Sequence, residues 1–169
     1  MNISTNTKIG FVGYGRFGAA LSELIEERGY AWRCWDPSAE LPPGHAVENL
    51  DQLLANSELI IVAVPVNAFE KVLHDLRPRL NRSHYVMDVC SVKQGPCRWM
   101  DDILGEDIPH VGCHPLFGPL SIARAEPLRA VLCSSSQHPD FAKEVRSLFE
   151  YLGCEVNEQE PAAHDRYMA

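Results

Sequence analysis

One short stretch limits the choice of fold more than any other: Gly13-Tyr14-Gly15-Arg16-Phe17-Gly18. The GxGxxG spacing is weak by itself, so its surroundings must carry the inference. Lys8 to Val12, just before it, reads as a short apolar strand. Gly18 to Arg28, just after it, places Leu21, Leu24 and Ile25 on one face of a helix. Strand, glycine turn and helix start in that order form a phosphate-binding corner. The first glycine permits the turn, the second lets a pyrophosphate approach the backbone, and the third lets helix and strand pack closely. Free amides and the helix dipole then face the anion. Asp36 ends the next predicted strand, Tyr30 to Trp35, at about the distance where a carboxylate binds the ribose hydroxyls of a dinucleotide. That carboxylate would repel a 2′-phosphate, so NAD is expected over NADP. Gly13, Tyr14, Gly15, Arg16, Phe17, Gly18 and Asp36 are the expected cofactor-binding residues on this side. For Arg16 a solvated loop position is the alternative.

The rest of the chain continues the alternation. Strands are expected over Leu59 to Val64, Tyr85 to Cys90, His110 to Cys113, Ala130 to Cys133 and near Glu155. Helical patterns cover Leu50 to Leu54, Ala68 to Leu80 and Asp140 to Leu152. Strands buried on both faces and separated by helices argue for an α/β fold: a doubly wound, mostly parallel sheet of the Rossmann dinucleotide-binding type. Residues 1–160 form that domain. Residues 161–169 begin a further helix, with Pro161 suited to its first turn. Ligands of such sheets bind beyond the carboxyl ends of the strands, near the switch point. Gly13, Pro65, Ser91 and His114 all follow or end predicted strands and so converge on one crevice. Val64 and Pro65 are expected beside the cofactor ribose.

Composition excludes several partners. With 46% hydrophobic and 22% charged residues and a net charge of −8, the chain is globular and acidic. Nucleic acid and anionic membrane surfaces prefer basic stripes, so neither is expected, whereas a small-molecule substrate is. The opening residues carry one lysine and do not read as a signal peptide, and the longest apolar run, Leu59 to Val66, is too short to span a bilayer. A cytoplasmic location is expected. The six cysteines form no CxxC pair and lie largely in strand-like runs, so free thiols and no metal site are expected.

At the other end of the crevice stand "DVCSVK" (88–93) and "HPLFGP" (114–119). Oxidising an alcohol by hydride transfer requires a group that takes the hydroxyl proton. Histidine is suited to this by its pKa, and a serine hydroxyl can orient it. His114 and Ser91 are therefore the candidate catalytic residues. Gly118 and Pro119 would shape the wall beside the cofactor, and Lys93 either orders the loop, with substrate within reach, or faces water. His110, His84, His45, His74 and His138 are expected at the surface. His164 has a capping, packing or catalytic role open to it.

GxGxxG, Asp36, "DVCSVK", "HPLFGP" and "HDRYMA" occur in an order and spacing that resembles the prephenate and arogenate dehydrogenases of tyrosine biosynthesis. The resemblance runs along essentially the whole chain. It implies an NAD-dependent oxidative decarboxylation of prephenate or arogenate, with His114 bonding the ring hydroxyl and Ser91 holding that hydroxyl or the histidine. Two departures are visible. A glutamate common in the family is replaced by Leu120, and the helical domain that supplies dimer contacts and substrate-binding cations would lie beyond residue 169. The resemblance therefore also implies a homodimer or a helical partner chain, and weak or absent turnover for these residues alone. The alternatives are an NAD-binding sensor or partner module without catalysis, and a reductase of imines or β-hydroxy acids.

Overall fold

Side-chain alternation along the central strands fixes the layers. A computed structural model describes residues 2–169. The strands are β1 Ile9–Val12, β2 Trp32–Trp35, β3 Leu59–Val62, β4 Tyr85–Asp88, β5 His110–Pro115, β6 Leu128–Ser134 and β7 Cys154–Glu158. The helices are α1 Arg16–Glu27, α2 Leu50–Ala55, α3 Val66–Leu76, α4 Gln94–Leu104, α5 Pro119–Ala123, α6 Pro139–Tyr151 and α7 Pro161–Met168. Every residue of β1 and β3 is buried. Leu59 and Ile61 of β3 face one apolar core, closed by Leu21 and Ile25 of α1 and Val145 and Phe149 of α6. Ile60 and Val62 face the opposite core, closed by Phe69 and Leu73 of α3 and Met100 of α4. A strand with period two and apolar residues at every position needs cover on both sides, and the helices provide it.

The sheet runs in the order β2-β1-β3-β4-β5-β6-β7. Strands β1 to β5 pair in parallel, β6 is antiparallel to β5, and β7 is parallel to β6. Beyond β2 a single parallel bridge joins Cys34 to Ala46. Counting that bridge as a vestigial strand, the arrangement is the dinucleotide-binding order 3-2-1-4-5-6 with two strands added at one edge. The chain reverses its direction of progress between β1 and β3, and the crevice lies there. Short α5 stays at the end of the sheet against α1 instead of crossing a face, so β6 returns antiparallel.

Most elements lie within a few residues of expectation. β3 ends at Val62, before Val64, and α3 starts at Val66 and closes in a tighter turn over Arg77–Arg79 around Pro78. Two helices go unannounced by periodicity, the short α5 and the longer α4. Gly95 and Pro96 near its start look like breakers, but a proline in the first turn gives up no helical hydrogen bond. None of the helices described is long and apolar enough to cross a membrane.

Candidate active site

A cleft of about 890 Å³ opens at the carboxyl ends of β1, β3, β4 and β5. Gly15, Arg16, Phe17 and Gly18 form one wall, and Val64 and Pro65 form its floor. Ser91, His114, Gly118 and Pro119 form the opposite wall. Four expected site residues, Gly13, Tyr14, Asp36 and Lys93, do not line it. Another hollow, of about 590 Å³, lies at the amino ends of the strands beside Lys8, Ser57 and His84. Ligands of this sheet type bind at the carboxyl ends, which singles out the larger cleft.

The glycine loop works by leaving space. Gly13 has φ +93°, and a Cβ there would come within 2.7 Å of the Ala63 carbonyl oxygen. A Cβ on Gly18 would stand 3.0 Å from the Gly13 carbonyl. A Cβ on Gly15 would meet nothing within 4 Å, so that side of the loop is open to a ligand. The Tyr14 ring turns away and stacks on Trp32 at 5.7 Å, and Trp32 stacks on His45 at 3.9 Å. Tyr14 contributes its backbone instead: its N–H donates to Asp36 Oδ2 at 2.8 Å. Asp36 Oδ1 accepts from the Ser38 N–H and hydroxyl and from the Ala39 N–H. Burial pushes the Asp36 carboxyl upward, but these bonds outweigh it and hold its pKa below the ordinary value. The acid is therefore an anion, tied to the loop it was expected to serve. The Phe17 and Phe117 rings, 5.9 Å apart, brace this wall against the turn after β5.

Buried charge organises the opposite wall. Lys93 neither faces water nor reaches the cleft: its side chain and that of Asp88 are both 0% exposed and form an ion pair. Lys93 Nζ also donates to the Cys113 carbonyl at 2.7 Å, next to His114. Burial alone would lower the Lys93 pKa, but the Asp88 carboxylate raises it above the ordinary value, so the ammonium persists. This pair clamps the end of β4 to β5, because neither charge is tolerated there without the other.

His114 is half-buried, and its Nδ1 lies 2.9 Å from His164 Nε2. His164 is buried, and its Nδ1 lies 2.7 Å from Asp165 Oδ1. Asp165 in turn accepts from the backbone N–H groups of Lys93 and Gln94, capping the start of α4 from α7. Burial, then the neighbouring His164 and Lys93, lower the His114 pKa to about 4 against the opposing pull of Asp165. The imidazole is neutral at physiological pH and able to accept a proton. Ser91 is exposed on the same cleft and, among the described residues, its hydroxyl has no hydrogen bond, so it does not hold His114 in this state. The close partner is His164, 50 positions away. Its only sequence signal is the His-Asp pair in "HDR".

Two histidines expected at the surface are buried instead. His110 bonds Asp101 at 2.9 Å and the Ile108 carbonyl at 2.9 Å, and His84 bonds the Leu54 carbonyl at 3.1 Å. Each satisfies its ring nitrogens locally, which is how a buried imidazole avoids its desolvation cost. All six cysteines are free thiols. Among the described residues no group of three or more His, Cys, Asp or Glu side chains is placed to hold a metal ion.

The family described as prephenate dehydrogenase, nucleotide-binding domain, matches residues 42–158. The match begins beyond the glycine loop and Asp36, so the loop is separate support. Arogenate dehydrogenase 1, chloroplastic, of Arabidopsis thaliana is 32% identical over 128 residues, covering 72% of this chain and 20% of that protein. The crystal structure of Synechocystis arogenate dehydrogenase superposes with a TM-score of 0.82 at 26% identity, covering 96% of this chain and 63% of that one. Prephenate dehydrogenase from A. aeolicus, in complex with hydroxyphenyl propionate and NAD+, superposes with a TM-score of 0.79 at 18% identity, covering the same 96% and 63%. The chain thus spans a fifth of the Arabidopsis protein and less than two thirds of the two solved chains.

Proposed function

Because the chain belongs to the prephenate dehydrogenase family, matched through its nucleotide-binding domain, we propose that its cleft binds NAD and presents the ring hydroxyl of prephenate or arogenate to His114 for oxidative decarboxylation. One observation carries the reading: an unfilled glycine cradle and a neutral, half-buried histidine face each other across one cleft. NAD, when bound, supplies the hydride acceptor. The open backbone at Gly15 and the start of α1 receive its pyrophosphate, with Arg16 beside them. Asp36, already ionised, favours ribose hydroxyls and repels a 2′-phosphate, which selects NAD over NADP. His114 takes the proton of the substrate hydroxyl as the adjoining C–H bond gives up hydride. The ring carboxylate then departs as carbon dioxide, and the electron pair of the broken C–C bond makes the ring aromatic and arrives on the oxygen. His114 returns the proton there, leaving a phenol and a neutral imidazole.

Titration calorimetry with NAD and NADP tests the binding step, and absorbance of the reduced cofactor with prephenate or arogenate tests turnover. The expected result is NAD binding tighter than NADP binding, with His114→Asn abolishing turnover while keeping NAD affinity. Failure to bind either cofactor at millimolar concentration would overturn the reading. A second reading, an NAD-binding module without catalysis, is favoured by one feature. Arg16 is the sole Lys or Arg on the cleft wall among the described residues, while prephenate carries two carboxylates. NAD binding without turnover of either substrate selects it.

A further inference from the structure

We propose that His164 and Asp165 are positioning residues that fix the tautomer of His114, keeping hydrogen on Nδ1 and the lone pair of Nε2 toward the cleft. The inference rests on the functional reading above for its meaning, but on hydrogen-bond geometry for its content.

The chain of contacts has only one consistent set of directions when both rings are neutral. Asp165 is held in place from outside, because its two oxygens accept from the N–H groups of Lys93 at 2.7 Å and Gln94 at 2.9 Å. Burial raises its pKa, but these bonds and His164 lower it further, so Asp165 is a carboxylate that can only accept. His164 Nδ1, 2.7 Å from Asp165 Oδ1, must then carry the hydrogen and donate. A neutral imidazole has one N–H, so His164 Nε2 is left with a lone pair. That lone pair stands 2.9 Å from His114 Nδ1, which must therefore be the donor. His114 Nε2 is left as the acceptor, on a residue that lines the cleft. The competing arrangement places a second proton on His164, which would then donate to His114 and turn its acceptor away from the cleft. It would also add a cation to a site where His164 is 1% exposed and Lys93 already brings an ammonium 0% exposed. Desolvation opposes that.

The groups around His114 agree with this assignment from each packed element. His164 and Asp165 approach from α7, and Lys93, neutralised by Asp88, approaches from the turn before α4. When His114 accepts a proton at Nε2, its Nδ1–H continues to donate to His164, and Asp165 stabilises the new charge through that ring. No further proton moves. The relay links positions 50 apart and reuses the carboxylate that caps α4, so that docking of α7 and the tautomer of the reacting histidine are tied to one side chain.

Nitrogen-15 NMR of the imidazole rings in the full chain tests this. At pH 7 the expected His114 is neutral with hydrogen on Nδ1, and it titrates near pH 4. His164→Phe removes the acceptor and should give a mixture of both tautomers. Asp165→Asn lets His164 turn and should loosen the same preference. His164→Gln, whose carbonyl can accept from Nδ1–H, should preserve it. Hydrogen on Nε2 in the unmodified chain, or an unchanged tautomer in His164→Phe, would overturn the relay. If His164→Phe fails to fold, the unmodified chain and His164→Gln still decide the matter. NAD affinity measured on the same samples separates the two readings. Loss of cofactor binding with the tautomer as expected sinks the functional reading and leaves the relay, and cofactor binding with hydrogen on Nε2 does the reverse.

Discussion

The two walls of the cleft are built by opposite means. On the β1–α1 side the site is made by leaving atoms out: Gly13 because a Cβ would strike the Ala63 carbonyl, and Gly15 with nothing within 4 Å of where a Cβ would stand. On the β4–β5–α7 side it is made by crowding polar groups together, with Lys93, Asp88, His164 and Asp165 all drawn in around His114. The first wall is a run of consecutive residues, closed from outside by Ala63, Asp36 and Phe117. The second exists only when three distant segments are folded onto one another. Substitutions should therefore fail differently on the two sides, and the differences can be measured.

The largest effect belongs to the crowded wall. Lys93→Met leaves the Asp88 carboxylate buried without its partner and should cost about 3–5 kcal/mol of stability in urea unfolding. Removing both charges together, as in Asp88→Leu with Lys93→Met, should be less damaging than the single change. If the single change cost no more than a surface substitution, the clamp would be an ordinary contact and the comparison would collapse.

The open wall sharpens the contrast with one chemical change at two positions. Gly13→Ala meets a positive φ and a backbone oxygen, so it should lose about 1–3 kcal/mol of stability. Gly15→Ala should leave stability within about 0.5 kcal/mol yet weaken NAD binding by about tenfold, or about 1.4 kcal/mol. The same methyl group then damages the fold at one glycine and the ligand at the other, two residues away. Equal losses of stability at both positions would show that the loop is packed throughout rather than open.

This difference also explains what could be read from the chain before folding. The glycine loop and the strand ends are legible because consecutive residues state them, and a sheet covered on both faces follows from strands such as β1 and β3, apolar at every position. Lys93 was ambiguous because nothing near it in sequence shows that Asp88 and the Cys113 carbonyl enclose it. His164 was equally open, since its contact with His114 spans 50 positions and no spacing rule covers it. His110 and His84 are buried against expectation for a related reason: each has one partner close in sequence and one, Asp101 of α4 or Leu54 of α2, that only the fold brings near. Helix α4 was hidden by a Gly-Pro pair whose position in the first turn only the fold defines.

Acid should weaken the crowded wall gradually rather than at a stroke. His114 has its pKa lowered from 6.5 to about 4 in the folded chain. Between those values the unfolded chain binds a proton at this position that the folded chain refuses. Stability therefore falls as pH falls through that window and is unaffected by His114 above it. In a series of unfolding curves from pH 7 to pH 4, His114→Asn should remove this part of the slope. Asp165→Asn should increase it, because the carboxylate is the one group that supports a positive His114.

The smallest effect is expected at Ser91, and it tests where the boundary between the two kinds of wall lies. Ser91 sits two residues before Lys93, so proximity in sequence would assign it to the crowded corner. Its exposure, and a hydroxyl with no hydrogen bond among the described residues, assign it to the open cleft. Ser91→Ala should then change stability by less than about 0.5 kcal/mol, and leave the tautomer and titration of His114 as they are in the unmodified chain. Any role for this hydroxyl begins only when a ligand hydroxyl arrives within its reach, so a loss should appear in substrate turnover or product affinity and nowhere else. A shifted His114 titration in Ser91→Ala would mean that serine, and not His164 alone, holds the ring in the free protein. The crowded wall would then extend through residue 91 into the cleft itself.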